Sequence, residues 1–525
     1  MEFIKFAAVL LLTGFAAFVQ AQIKRNQMLV ISIDANDKEQ IIKNIGVSGC
    51  WYSEAIGKYW PAEKKERMAE LLFSKNMDQQ GNPMGIGVSA FRFNIGGGTA
   101  EQGIAGGIGD PNRRVECFLD KYGNYDWSKQ AGYQWFLQKA KVYGVENLIA
   151  FSNTPPVQFT LNGLGFKTEK DGIANLKPTA YILYADFLAA TMKHFDDIGL
   201  HFNYVSPVNE PQWDWTGNIG SAKQEGSPWK NEEIYTIVKA LDSTLSAKKL
   251  TTKIVAPEAA MLSFLYEGNT GASKQIATFF SAKGAHNLLN FKSVLPTVAG
   301  HSYFTDANDS MLVGTRKKLA DTAKKYGVDF WQSEYSMLGN GYKEGTKGKR
   351  SQMDCALFLA KVIHHDLTIG NATAWHLWNA YEPGNADHDT RYYLLALKPD
   401  SDFKNGTFTV TKNLWGLGHF SLFIRPGMQR LNTMRSDNMS DVNAAQDLMV
   451  SAYKDNSGKM VLVAINYAAT SRQVKINLQH ADRINSIKSY VTTASQDDNM
   501  RVENIKNMVD VFTFQPRSIT TIVIN

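Results

Sequence analysis

Tyr204-Val205-Ser206-Pro207-Val208-Asn209-Glu210-Pro211 is the stretch on which the fold turns. Its β-branched and aromatic residues read as a short buried strand, expected over 204–209, and Pro211 stops it. The strand therefore delivers the Glu210 carboxylate to its own end. Val328-Asp329-Phe330-Trp331-Gln332-Ser333-Glu334 repeats the pattern and again closes on a glutamate. Two acids at the ends of two strands, far apart in sequence, suit acid/base chemistry at the mouth of a barrel.

Outward from this stretch, strand and helix patterns alternate for most of the chain. Buried strands are expected at 44–48, 87–94, 147–151, 204–209, 253–257, 298–303, 329–334 and 372–378. Amphipathic helices fall between them. One at 61–73 begins on Pro61, one at 127–143 follows a candidate cap at Asp126, and one at 179–197 follows Pro178. Others are expected at 231–246, 311–326 and 352–367, the last opened by Ser351. Eight βα units in series imply an α/β fold, a (β/α)8 TIM barrel. A doubly wound open sheet is the competitor. It normally carries a glycine-rich phosphate turn after its first strand, whereas Gly96-Gly97-Gly98 follows the second and lacks dinucleotide spacing.

Past Pro426 the period shortens. Strands are expected at 448–453, 460–466, 473–478, 487–491, 511–514 and 518–524, with Asp455-Asn456-Ser457-Gly458 as a hairpin connection. This reads as a C-terminal β-sandwich side domain. A strand near 27–33 has no helix partner and is expected to join it. The division is then 1–21 signal peptide, 22–43 N-terminal strand, 44–428 barrel and 429–525 sandwich.

The signal-peptide reading rests on Lys5, an apolar run from Phe6 to Val19 too short for a span, and the small-residue site Val19-Gln20-Ala21. Export to the periplasm or the extracellular space follows, without stable membrane insertion. A net charge of +6 spread over 525 residues gives no reason to expect a nucleic-acid partner. Cys50, Cys117 and Cys355 form an odd set without metal-like spacing and read as small buried apolar residues. His364-His365 lies on a helix with no third ligand in view, so no metal is assigned.

Four further runs sharpen the reading: Phe91-Arg92-Phe93-Asn94-Ile95-Gly96-Gly97-Gly98, Phe151-Ser152-Asn153-Thr154-Pro155-Pro156, Trp331-Gln332-Ser333-Glu334-Tyr335 and Trp375-His376-Leu377-Trp378-Asn379. With Asn209-Glu210-Pro211, they resemble glycoside hydrolase family 30, retaining barrel glycosidases with a side sandwich built from both chain ends. Gly98-Thr99-Ala100-Glu101-Gln102, Arg113-Arg114-Val115-Glu116 and Tyr125-Asp126-Trp127-Ser128 are most similar to its endo-β-1,6-galactanase branch.

The resemblance implies roles. Glu210 would be the general acid/base and Glu334 the nucleophile of a double displacement. Asn209 would contact the sugar 2-hydroxyl, Tyr303 would hold the nucleophile, Arg92 would lie near it, and Trp378 would lie under the sugar ring. A cation at Arg92 would keep Glu334 ionised, and burial is expected to raise the pKa of Glu210. Tyr303 and Arg92 also read as core groups, and Trp375 competes with Trp378 for the inward face. Glu258, Trp213 and Trp215 are candidate substrate contacts or packing residues, and Asn153 is a further candidate contact. His301 reads as a buried hydrogen-bonding group. The function implied is a secreted retaining hydrolase of β-linked polysaccharide or oligosaccharide, with β-1,6-galactan of the arabinogalactan type as substrate. It needs no cofactor, and a monomer is expected. The alternatives are β-1,6-glucanase, xylanase or glucosylceramidase-like activity, or a non-catalytic carbohydrate-binding barrel. The loops at 103–114, 216–229 and 339–350 are expected to shape the mouth.

Overall fold

Strand β1 (Leu29–Ile41) precedes a closed barrel of eight parallel strands. These are β2 (Asn44–Ser48), β3 (Ala90–Ile95), β4 (Asn147–Ser152), β5 (Tyr204–Ser206), β6 (Lys253–Ala259), β7 (Val294–His301), β8 (Asp329–Tyr335) and β9 (Ala372–Leu377). β9 pairs with β2 to close the ring. This computed structural model describes residues 28–339, 350–505 and 511–525. The expected signal peptide at 1–21 and most of the loop at 339–350 lie outside the described residues.

Period-two alternation decides what each strand turns inward. Ala90, Ile149, Val255, Ala299, Trp331 and Ala374 fill the barrel base. Their strand neighbours, such as Phe91, Phe93, Val205, Val298 and Trp375, face outward into the helix layer. That layer comprises α1 (Ser53–Tyr59), α2 (Ala62–Phe73), α3 (Ala131–Val142), α4 (Tyr181–Asp197), α5 (Asn231–Ala247), α6 (Gln275–Phe280), α7 (Asp309–Tyr326), α8 (Gln352–Thr368) and α9 (Lys412–Ser421). Helix α7 starts where Asn308 accepts the Met311 N–H at 2.9 Å and ends at Gly327, whose φ of 64° suits glycine. Ser351 and Asp354 form a reciprocal capping box at α8.

Several expected boundaries move, two of them for a plain local reason. β5 stops at Ser206 because Pro207 offers no N–H to the ladder. α3 starts at Ala131, not 127, because Asp126 accepts the Ser128 N–H at 3.0 Å and makes a turn, and Gln130 then sits at φ 52°.

After the barrel, β10 (Tyr381–Pro383), β11 (Leu395–Pro399) and β12 (Gly406–Val410) form a small sheet. The remaining strands are β13 (Gln429–Arg435), β14 (Leu448–Lys454), β15 (Met460–Asn466), β16 (Arg472–Gln479), β17 (Ile487–Thr492), β18 (Arg501–Ile505), β19 (Val511–Phe514) and β20 (Ser518–Ile524). With β1 they make one sheet in the order β18-β17-β20-β15-β14-β13-β1-β16-β19. β1 pairs antiparallel with β13 and parallel with β16, so both ends of the chain build this domain. The sheet curls over its own core of Ile31, Ile33, Leu462, Val474, Phe514 and Ile522. Its other face, including Val461, Val463, Ile519 and Val523, joins the barrel's core. Helices α8 and α9 lie between barrel and sheet, which explains why they are buried nearly all round. On α9, buried His419 bonds Thr521 and Thr492 at 2.8 and 2.8 Å, and burial pushes its pKa down to about 3. All three cysteines are buried. Among the described residues, no helix is long and apolar enough to cross a membrane.

Candidate active site

Polar side chains replace the apolar base toward the C-terminal ends of the barrel strands. By alternation, Ala90 is followed inward by Arg92 and Asn94, Ala299 by His301 and Tyr303, and Ala374 by His376 and Trp378. Trp378 therefore reaches the cleft, while Trp375 is buried outside the barrel and donates to Asp366 at 2.9 Å. On β8, alternation from Trp331 would turn Ser333 inward and Glu334 outward. The register instead slips: Gly300 opposes Gln332 and His301 opposes Glu334, with Ser333 extra. This bulge turns both Ser333 and Glu334 into the barrel. Glu210 and Glu258 are re-aimed differently, by left-handed φ values of 46° and 58°. Non-glycine residues in this region cost roughly 1 kcal/mol or more each, and such strain collects at functional sites. The Glu210 N–H donates to the Glu258 carbonyl at 2.9 Å, which ties the two strand ends together.

Arg92, His301 and three glutamates meet beneath the cleft, with Tyr303 against them. Tyr303 Oη donates to Glu334 Oε1 at 2.9 Å, and Arg92 Nη1 donates to Oε2 at 2.8 Å. Arg92 lies 4.3 Å over the Phe151 ring, and its Nη2 is 3.8 Å from Glu258 Oε1. His301 Nδ1 is 3.0 Å from Glu210 Oε1 and 3.7 Å from Glu334 Oε1, and its Nε2 is 3.3 Å from Glu258 Oε2. Ser206 donates to Glu258 Oε1 at 2.6 Å, and Ser333 donates to Oε2.

The electrostatics separate these carboxyls. Burial raises the pKa of Glu210, opposed by His301. Burial also opposes ionisation of Glu258, but Arg92, His301 and Ser206 outweigh it and hold the carboxyl down at about 2. Burial disfavours charge on His301 too, yet Glu334, Glu210 and Glu258 lift its pKa to about 10. One ligand atom each of Glu210, His301 and Glu334 lies within 4.8 Å of the others. Both His301 nitrogens face carboxylate oxygens as donors, which leaves no lone pair for a metal ion.

Above the cluster opens a cleft of about 480 Å³. Glu210, Glu334, Asn209, Asn153, Tyr303, Trp213 and Trp378 all line it, as does Trp215. Asn209 Nδ2 donates to Asn153 Oδ1 at 2.9 Å, while Asn209 Oδ1 has no hydrogen-bond partner among the described residues. Two of the candidate site residues lie deeper than the cleft. Glu258 and Arg92 are each 1% exposed, and their polar groups engage Ser206, Ser333, His301 and Glu334 below the floor rather than the cleft. Arg113 and Lys223, from two of the loops expected to shape the mouth, line the wall, and so do Trp51 and Glu382, which sequence reasoning missed. Arg113 sits 4.1 Å over the Trp51 ring, and Trp51 packs edge-on against Trp378 at 5.1 Å.

The triple glycine has a local explanation. Buried Glu225, in the loop after β5, accepts the Thr99 hydroxyl at 2.7 Å and the Gly97 N–H at 3.1 Å. Burial pushes Glu225 up to about 7 against these bonds. A Cβ on Gly97 would sit 2.5 Å from Thr154 Cγ2. Gly97→Ala is expected to destabilise the protein by about 1–3 kcal/mol, read from urea unfolding.

The chain has relatives that match this architecture. A model of O-glycosyl hydrolase family 30 matches residues 28–392. An endo-β-1,6-galactanase of Hypocrea rufa is 24% identical over 461 residues, which cover 84% of this chain and 81% of the relative. A glucuronoxylanase of Bacillus subtilis strain 168 is 23% identical over 332 residues, covering 61% of this chain and 61% of its own. Among solved structures, a conserved exported protein from Bacteroides fragilis superposes with a TM-score of 0.87 at 33% identity, covering 94% of this chain and 100% of that one. With its closed barrel and the acids at its mouth, the chain belongs to O-glycosyl hydrolase family 30 and is a glycoside hydrolase.

Proposed function

We propose that the protein is an exported, retaining endo-β-1,6-galactanase that acts on arabinogalactan-type chains. The carrying observation is the spacing of the two acids. Carboxylate oxygens of Glu210 and Glu334 lie within 4.8 Å. Inverting enzymes keep their carboxyls roughly 6.5–9.5 Å apart to seat a water, whereas retaining enzymes hold them about 5–5.5 Å apart. In this reading Glu334, oriented by Arg92 and Tyr303, attacks the anomeric carbon. Glu210 protonates the departing glycosidic oxygen, then takes a proton from the water that hydrolyses the glycosyl ester. Asn209 keeps an acceptor and one amide proton for the sugar 2-hydroxyl, and Trp378 supplies an apolar face to the ring.

The choice of sugar rests on likeness to the fungal galactanase over most of the chain and on Arg113, which belongs to a run similar to that branch and lines the cleft. Export rests on the reading of residues 1–21. The test is incubation with β-1,6-galacto-oligosaccharides, β-1,6-glucan and glucuronoxylan, following the first-formed product by proton NMR. Release from the galactan series as the β-anomer is expected. An α-anomer would defeat retention, and preferential release from glucan or xylan would move the substrate. Silence on all three substrates, shared by a Glu334→Gln control, would favour a binding protein.

Glu210→Gln should slow polysaccharide cleavage by about 10²–10⁴-fold while sparing glycosylation by an aryl glycoside whose leaving group needs no proton. Equal losses on both substrates would remove Glu210 from the acid role.

A further inference from the structure

The five buried groups beneath the cleft have a charge balance of their own. Two are cationic by geometry. Arg92 is a guanidinium, and His301 presents both ring nitrogens to carboxylate oxygens at 3.0 and 3.3 Å. A neutral imidazole could donate to only one of them, whereas the cation donates to both, and the surrounding carboxyls favour the cation by lifting its pKa to about 10. Two of the carboxyls are anionic by the same reasoning. Glu258 accepts from Ser206, Ser333 and His301, and Glu334 accepts from Tyr303 and Arg92 on separate oxygens. Arg113, Lys223 and Glu382 lie on the cleft wall above the cluster, and the titratable groups packed against it from within the barrel are uncharged. Burial pushes the Tyr303 hydroxyl well above its ordinary value, and burial with Arg92 nearby pushes His376 on β9 down to about 3. Two cations and two anions are then matched. Glu210, the remaining carboxyl, completes a neutral cluster only when it carries a proton, in keeping with the upward shift that burial gives it. A surplus charge in a water-poor site is costly, so this balance fixes where the mobile proton resides.

We propose that Glu258 is a positioning residue for proton transfer: it holds His301 as a doubly donating imidazolium, and His301 stabilises the negative charge as it passes from Glu334 to Glu210 and back. The proposal rests on the retaining reading above. In the first step a bond forms between Glu334 and the anomeric carbon, the bond to the leaving oxygen breaks, and the Glu210 proton moves to that oxygen. Glu334 becomes a neutral ester and Glu210 a carboxylate, so the cluster stays neutral. The His301 Nδ1–H is already 3.0 Å from the oxygen that gains charge and 3.7 Å from the one that loses it. In the second step water gives a proton to Glu210 and its oxygen to the anomeric carbon, and the charge returns to Glu334. One proton moves at each step, and no unmatched charge appears.

Glu258 is 1% exposed and does not line the cleft, so it acts through the cations it faces, His301 and Arg92, and not on the sugar. Removing its charge leaves the cluster with a surplus cation, and a proton is then lost more readily. Glu258→Gln should move the alkaline limb of kcat/KM down by about one pH unit or more, with KM little changed. Glu258→Asp should bring the limb back toward wild type. A merely structural role would lower the whole profile and leave its limbs in place. Because Glu258→Gln could fail to fold, ¹⁵N NMR of the wild-type imidazoles gives a second readout, with the His301 signal assigned by its loss in His301→Gln. Both His301 nitrogens should be protonated at pH 8. A neutral His301 at that pH, or an unmoved alkaline limb in a folded Glu258→Gln protein, overturns the proposal. The anomer of the first product tests the retaining reading separately: an α-product defeats that reading, whereas a β-product with an unmoved limb defeats this proposal alone.

Discussion

Glu334→Gln is expected to lower kcat by about 10⁵-fold or more while the protein stays folded, because an amide cannot form the glycosyl ester. The substitution is isosteric, yet it leaves a local conflict. Arg92 Nη1 and Tyr303 Oη each donate to a separate oxygen of Glu334, so one of them would face an amide N–H₂. The loss should fall on kcat, since the aromatic cleft and Asn209 still receive the sugar. Azide can then assign the roles. With Glu334→Ala, azide entering the vacated space attacks an aryl β-glycoside once and yields the α-glycosyl azide. With Glu210→Ala, the ester on Glu334 still forms, and azide attacks it from the opposite face to yield the β-azide. Exchanged products would swap the two roles, and Glu334→Gln keeping a tenth of wild-type kcat would end the nucleophile assignment.

The strands carrying these acids were legible because parallel barrel strands are buried on both faces and read as apolar runs. β8 and β9 are recognisable for that reason, and with them the positions of Glu334 and Trp378. Orientation was less legible. That Glu334 faces inward depends on one extra residue in β8, and a bulge leaves no mark in an apolar run. Trp378 is a simpler case, since period two from Ala374 gives its facing once the barrel's interior is known. Glu258 reads as either a sugar contact or a packing residue because it ends a strand, and Arg92 is expected near the nucleophile from the resemblance alone. Their depth is a property of the neighbours, namely Ser206, Ser333 and His301, which come from three other strands. His301 was read as a buried hydrogen-bonding group, and its partners could not be named because Glu210 and Glu258 approach it from different strands. In the side domain, β13 and β18 escaped notice: Gln-Arg-Leu-Asn-Thr-Met-Arg and Arg-Val-Glu-Asn-Ile are polar strands whose pairing is set by neighbouring strands rather than by their own pattern.

Arg92→Met should destabilise the protein by about 3–5 kcal/mol at pH 7, because it strips the cation from two buried carboxylates at once. Methionine preserves most of the contact with Phe151, so the loss reports charge more than volume. The pH dependence identifies its source. In the wild type, Glu258 has a folded pKa of about 2 against an ordinary 4.5. A depressed carboxyl contributes stability above its unfolded pKa and loses it as pH falls through the folded one, here about 3 kcal/mol given up between roughly pH 5 and pH 2. Without Arg92, His301 alone faces Glu258, Glu334 and Glu210, and Glu258 loses the largest of the influences that hold its pKa down. Acid then relieves the variant over the range in which it weakens the wild type. Urea unfolding should therefore show the gap between the two proteins narrowing steadily from pH 7 to pH 3. A gap that stayed constant would assign the contribution of Arg92 to its packing on Phe151 and its bond to Ser48, and not to the carboxylates. Activity should fall in parallel at pH 7, since Arg92 no longer orients the attacking carboxylate of Glu334.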